Sequence, residues 1–150
     1  MKPAQQPFSL THDTARTPED TWARLTDWSA HAQFVPLTTI EITTAGPTGA
    51  GTMFNARTGV GRVGFDDPME IVEWDPPTAD KAGRCRLEKR GSFMVGWAEL
   101  TVEPRGSGAR ATWTEAARPA RAPRFADKVS DALGRKLFGR VLRGLLAESA

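Results

Sequence analysis

The segment after Pro123 changes hydrophobic period, and that change limits the folds open to the chain more than any other feature. Phe125, Val129, Leu133, Leu137 and Val141 recur every four residues, and Leu142, Leu145 and Leu146 widen the apolar stripe. Spacings of three and four residues collect side chains on one face of an α-helix, so the pattern predicts one long amphipathic C-terminal helix. From Leu37 to about Ala117 the chain reads differently. Runs such as "TTIEITTA", "TMFNARTG", "RCRLEKRG", "SFMVGWAELTVEP" and "ARATWTEAA" are separated by turn signals such as "GPTGAG" and "RGSG". Runs of that length with Gly and Pro between them predict an antiparallel meander. A striped helix and a one-sided sheet each need an apolar partner, so the expected fold packs one against the other.

Upstream, "PFSLTHDTA" predicts a first strand with Phe8 and Leu10 on one face. "TPEDTWARLTDW" then takes helical spacing. Thr17 is the expected N-cap, with Pro18 at the first helical position and Asp20 three residues after the cap. Glu19 and Asp20 suit the positive end of the helix dipole, and Trp22 and Leu25 share its buried face. A second short helix is expected over Ser29 to Phe34, stopped by Pro36. The order is strand, two short helices, about six strands and one long helix, an α+β arrangement. No internal repeat or linker divides residues 1–150, so a single domain is expected, of a size that buries roughly 68–70% of its unfolded surface.

Composition narrows the function classes. Twenty basic against eighteen acidic side chains give a net charge of +2, too small an excess to imply a nucleic-acid partner. Cys85 is the only cysteine, which excludes an internal disulfide or a cysteine-built zinc site and makes a reducing cytoplasm the default. "MKPAQQPFSL" has no apolar run of signal-peptide length, and no segment approaches the ~18 apolar residues of a span, so neither secretion nor stable membrane insertion is expected. There is no tyrosine and there are two histidines, so few side chains transfer protons near neutral pH. An enzymatic reading starts at a disadvantage.

The stretch "TGVGRVGFDDPMEIVEWDPP" admits three readings. Gly59, Gly61 and Gly64 spell G-x-G-x-x-G, but a dinucleotide loop needs a helix after the third glycine, and Phe65, two aspartates and Pro68 followed by a β-type run do not start one. Asp66, Asp67, Glu70, Glu73 and Asp75 form an acidic cluster, yet alternation pairs Asp66 with Glu70 on one face and Asp67 with Glu73 on the other. They do not converge on one ion, and no metal site is expected. A tight turn leading into a strand is the remaining reading. Pro68 suggests an edge, bulge or break in that strand, and Asp66 or Asp67 is placed to pair with Arg57 or Arg62 across the turn.

The words "TPEDTWARLTDWSAHAQFVP", "GTMF", "EIVEWDPP", "GWAELTVEP" and "TWTE", followed by the terminal helix, stand in an order that resembles the START-like, or SRPBCC, superfamily over nearly the whole chain. Its bacterial polyketide-cyclase/dehydrase-type members are the most similar. The resemblance implies a helix-grip fold, in which a curved antiparallel sheet of about six or seven strands wraps around the C-terminal helix. It also implies an apolar cavity between them for lipids, polyketides, quinones or aromatic compounds. The superfamily has no universal catalytic residue, and no cofactor is implied.

On that fold the expected ligand-binding residues are Phe54, Phe65, Met69, Trp74 and Met94, then Leu100, Trp113 and Glu115, and on the helix Phe125, Val129, Leu133 and Leu137. The same set suits a filled core equally well. Glu115 shares strand parity with Trp113: if one faces the cavity, so does the other, unless both stand at a wet mouth. Glu115, Asp67 and Arg57 are the candidates for acid, base or oxyanion partner in any catalysis. Gly134, Gly139 and Gly144 interrupt the helix, leaving room for ligand or close packing, or lying neutrally at its solvent face. Its Arg and Lys residues read as solvated, because the sheet already partners the apolar stripe.

Three functions follow. The first is a cytoplasmic carrier or sensor of a small apolar molecule, monomeric or homodimeric. The second is a polyketide cyclase/dehydratase-type enzyme. The third is a protein-interaction module of the antitoxin or chaperone-cofactor kind, which would expose an apolar patch instead of enclosing a cavity.

Overall fold

A computed structural model of the protein describes residues 7–123 and 126–147. The strands are β1 (Phe8–Thr14), β2 (Thr38–Ile42), β3 (Met53–Val60), β4 (Val63–Asp75), β5 (Gly83–Lys89), β6 (Met94–Arg105) and β7 (Gly108–Pro119). They form one antiparallel sheet in the order β1-β7-β6-β5-β4-β3-β2. Between β1 and β2 lie α1 (Pro18–Leu25), α2 (Trp28–His31) and a 3-10 turn over Ala32–Phe34. The last helix, α3 (Asp127–Leu145), packs across β1 and β7 and against both short helices. This is the helix-grip arrangement.

Local chemistry explains the element boundaries. Thr17 caps α1 by accepting from the Asp20 N–H at 3.1 Å, with Pro18 opening the helix. Asp27 does the same for α2 through the Ala30 N–H at 3.3 Å. The G-x-G-x-x-G sequence forms the β3–β4 hairpin: Gly61 takes φ +58, and Gly59 faces Gly64 across the ladder so closely that a side chain on either would strike the opposite backbone. After Gly64 the chain continues as strand, not helix.

β4 runs unbroken through Pro68, which pairs with Asn55. The irregularity lies three residues later, where the β4–β5 register shifts between Ile71 and Glu73. A bulge inserts one unpaired residue and reverses the side-chain parity beyond it. Asp67 and Ile71 therefore face the core, and beyond Val72 so does Trp74, which pairs with Cys85, while Glu73 points out to Arg84 at 3.3 Å. The expectation that Asp67 and Glu73 share a face fails for this reason.

The predicted stripe of α3 is corrected at its N-terminal half. Val141, Leu142, Leu145 and Leu146 are buried, but Val129 and Leu133 are 61% and 63% exposed. A step of four residues overshoots a turn by about 40°, so three steps carry Val129 about 120° away from Val141. Phe125 lies outside the described residues. Two of the three helix glycines serve close approach. A methyl on Gly144 would enter the Phe34 ring and one on Gly134 would come within 3.0 Å of the Phe8 ring, whereas one on Gly139 would meet only the Arg143 guanidinium.

Gly96, near the start of β6, takes φ +128, and a methyl there would collide with the Ala116 carbonyl oxygen of the neighbouring strand. No rotamer relieves a backbone collision. Gly96→Ala is therefore expected to destabilise the protein by at least about 1–3 kcal/mol. Urea unfolding checks this, and a midpoint equal to wild type would refute it.

Candidate functional site

The strand ends that carry the β3–β4 hairpin, the β5–β6 loop and the end of β7 lie together at one end of the sheet, because the sheet is antiparallel throughout. α3 starts at this end, with Gly134 beside Phe8, and finishes at the other, where Arg24 donates to the Leu145 carbonyl at 3.5 Å. α1 fills the far half of the concave face, and the near half is left open as a cavity of about 300 Å³ between sheet and α3. Its depth is walled by the buried Phe8, Trp28, Phe54, Leu87, Ala98 and Trp113. Half-buried residues, Thr38, Thr58, Phe65, Met94, Pro119 and Leu137, mark its mouth.

Aromatic stacking fixes the walls. Trp28 stacks on Phe54 at 4.9 Å, Trp113 on Phe138 at 4.8 Å, and at the rim Phe65 on Phe93 at 4.3 Å. Such pairs add ~0.5–1.5 kcal/mol beyond area burial. His31 also lines the space, and its Nε2, 2.7 Å from the Leu25 carbonyl oxygen, must carry the hydrogen it donates. Burial holds the His31 pKa below its ordinary value, against the pull of that bond and of Asp27. The imidazole therefore serves structure, joining the α1–α2 corner to the cavity wall.

Three ionisable side chains enter the apolar wall together. Lys89, the last residue of β5, shares parity with the buried Cys85 and Leu87. Its Nζ donates to Asp67 Oδ2 at 2.6 Å and lies 4.0 Å from Glu115 Oε1, with Met69 Sδ at 3.8 Å. The side chains of Lys89 and Glu115 are 6% and 5% exposed, that of Asp67 13%. Trp113 Nε1–H donates a long bond, 3.5 Å, to Glu115 Oε2. Burial pushes the Glu115 pKa up to about 7, a rise that the Lys89 ammonium and the Trp113 N–H restrain and Asp67 reinforces. Two polar atoms of lining residues, Asp67 Oδ1 and Trp28 Nε1, are buried and find no hydrogen-bond partner among the described residues.

The expected site residues thus separate. Phe54, Phe65, Met69, Met94, Trp113, Glu115, Leu137 and Asp67 line the cavity. Trp74 and Leu100 face the same side of the sheet but sit in its filled half. Trp74 meets Trp22 edge-on at 5.0 Å, and Leu100, 2% exposed, lies between Cys85 and Trp113. Val129 and Leu133 point to solvent instead of the cavity. Arg57 is on the outer face, 3.4 Å from Asp66, and does not reach the cavity. Asp66 also accepts from Asn55 at 2.9 Å, and that bond foremost lowers its pKa. Glu70 and Asp75 are turned outward as well, toward Arg90 at 3.2 Å and Lys81 at 3.8 Å, so Asp67 alone of the five acids enters the wall. The sequence reading omitted Lys89, although the alternation Cys85, Leu87, Lys89 already signals an inward lysine.

Solved structures of low sequence identity share this fold. The Zhui aromatase/cyclase from Streptomyces sp. R1128 superposes with a TM-score of 0.67 at 16% identity, over 95% of this chain and 92% of that one. A STAR-related lipid transfer protein fragment from Xanthomonas axonopodis gives 0.67 at 16%, over 93% and 85%. A hypothetical protein from Helicobacter pylori gives 0.72 at 19%, over 98% and 89%. No curated protein matches the chain in sequence. The family described as polyketide cyclase / dehydrase and lipid transport matches residues 5–149, nearly the full length over which sheet, cavity and terminal helix are built, and the chain belongs to that family.

Proposed function

We propose that the protein binds a small hydrophobic molecule in the cavity between sheet and α3, as a carrier or sensor. The observation that carries this is the cavity itself, about 300 Å³ walled by stacked aromatic rings with a few buried polar groups at one place on the wall. That combination is the ordinary make-up of a small-molecule site, at the small end of the usual range of ~300–1,000 Å³. A dry cavity of ~150 Å³ takes one benzene, so the space suits one molecule of about two rings better than a steroid or a diacyl lipid. Among the described residues no helix is long and apolar enough to cross a membrane.

Calorimetric titration with naphthalene tests this. Saturable one-to-one binding is expected, and Ala56→Phe, which fills the cavity from β3, is expected to abolish it while leaving the far-ultraviolet spectrum unchanged. Absence of saturable binding by the wild type would sink the proposal. Native mass spectrometry of freshly purified protein adds a direct search for a resident molecule.

One observation favours a second reading, an enzyme of the cyclase/dehydratase type. Glu115, with its pKa near 7, is poised to give or take a proton beside an apolar substrate. On this reading Glu115→Gln loses turnover but keeps binding, and equal turnover by that variant would discard it.

A further inference from the structure

We infer that the mouth end of the molecule docks on an anionic lipid surface, with the cavity opening toward the bilayer. The inference goes beyond the small-molecule reading and rests on side chains that do not line the cavity.

Exposed apolar side chains gather at that end. Among the described residues every large one, Ile42 excepted, stands there, and Ile42 lies at the opposite end of β2. Val60 and Val63 form the tip of the β3–β4 hairpin, where Val63 is 80% exposed, and Phe93 projects from the β5–β6 loop beside Phe65. Val129 and Leu133 stand on the first two turns of α3. Leu37 joins them, since its carbonyl accepts from the Gly59 N–H at 2.9 Å. Its φ of +56 is a left-handed conformation that leucine adopts only where the surrounding structure imposes it, and here it leaves the side chain in solvent. Apolar groups gathered in this way mark a contact surface.

The charges match a lipid surface. Arg62 is exposed between Val60 and Val63, and Arg121 is exposed in the turn after β7. On α3, residues 129, 133, 136 and 140 fall within about 60° of one another around the axis. Val129 and Leu133 therefore share an exposed face with Lys136 and Arg140. Because α3 starts at the mouth and runs away from it, those two cations stand about 4.5 and 10 Å behind Leu133. That is the order of an interfacial anchor, with apolar tips about 5–10 Å into the acyl boundary and basic groups level with the phosphates. Little opposes it: Asp66, the first acid beyond the hairpin tip, is 3.4 Å from Arg57, and Asp131 on α3 is half-buried. The tips come from four separate segments and form no groove, which suits a deformable lipid surface better than a fixed protein one. An apolar molecule then passes between bilayer and cavity without crossing water.

Vesicle flotation of the wild type tests the inference. Partition onto phosphatidylcholine vesicles containing about a quarter phosphatidylglycerol is expected to exceed that onto phosphatidylcholine alone by at least about tenfold, and to fall steeply between about 0.1 and 1 M salt. Val63→Asp with Leu133→Asp is expected to weaken it at least about tenfold more, whereas Ile42→Asp leaves it unchanged. Urea midpoints equal to wild type confirm that the variants fold. Absence of binding to the anionic vesicles, equal partition onto both compositions, or a double variant that binds like the wild type would overturn the inference. So would a wild type that stays off vesicles but forms a dimer lost in the double variant, which would give the patch to a second copy. No cavity ligand enters this assay, so its failure would leave the naphthalene result standing, and failure to bind naphthalene would leave the docking result standing.

Discussion

Replacing Lys89 with methionine is expected to cost the fold about 3–5 kcal/mol, the usual result of removing one partner from a buried ion pair. Methionine matches the length and apolar stem of lysine, so packing changes little. What changes is that Asp67, with a side chain only 13% exposed, loses the ammonium that pairs with it and is left beside Glu115. For a chain of this size each kcal/mol lowers the melting temperature by roughly 2–4 °C, so a fall of at least about 6 °C is expected. Replacing both partners is the informative control: Lys89→Met with Asp67→Leu should recover most of the loss, because an apolar pair of similar volume carries no uncompensated charge. A single variant within 1 kcal/mol of wild type in urea unfolding would show that the pair is more hydrated than its burial implies.

The second large effect is a stability that declines as pH rises through neutrality. The Glu115 pKa stands near 7 in the fold against an ordinary 4.5, so between those values the folded protein keeps a proton that the unfolded chain has lost. Stability then falls with pH, because the native state binds more protons than the unfolded one. The contribution is complete below pH 4.5 and gone above about 7. About 2.5 units at 1.36 kcal/mol each amount to about 3 kcal/mol across the window. His31 acts oppositely. Its lowered pKa gives a contribution present above 6.5 and lost as pH falls, so the two slopes partly mask each other in the wild type. The difference between wild type and Glu115→Gln isolates the carboxyl group. The variant is expected to match the wild type at pH 5 and to exceed it by about 3 kcal/mol at pH 8.5. A constant difference at both pH values would mean that Glu115 ionises freely in the fold.

Legibility in the sequence followed how local each determinant is. The Thr17 cap, the glycine hairpin and the order of elements depend on a few neighbouring residues, and they could be read directly. Strand parity placed Glu115 on the side of Trp113, and both line the cavity. Parity gives a face, however, and not a position along the strand. Trp74 and Leu100 show this, since they face inward at the end that α1 fills. The choice between Asp66 and Asp67 depended on pairing with β3 and β5, which no local pattern records. Val129 and Leu133 were misplaced because a repeat of four drifts around a helix of 3.6 residues per turn. Lys89 was readable from its alternation with Leu87, although a lysine that ends a strand is ordinarily solvated.

The bulge at Val72 sets a limit on how this strand can be compared with others. Upstream of it the inward series is Phe65, Asp67, Met69 and Ile71; downstream it resumes one residue out of step at Trp74. The strand therefore carries two reading frames, one for the cavity and one for the filled core, joined at a single inserted position. Aligned without a gap to a relative that lacks the insertion, Glu73 would fall opposite a core residue and Trp74 opposite a solvent one. Deletion of Val72, by contrast, would join the two frames in regular alternation and keep Glu73 outward and Trp74 inward, so the single-residue length change that leaves the faces of this segment intact lies within a strand and not in a turn.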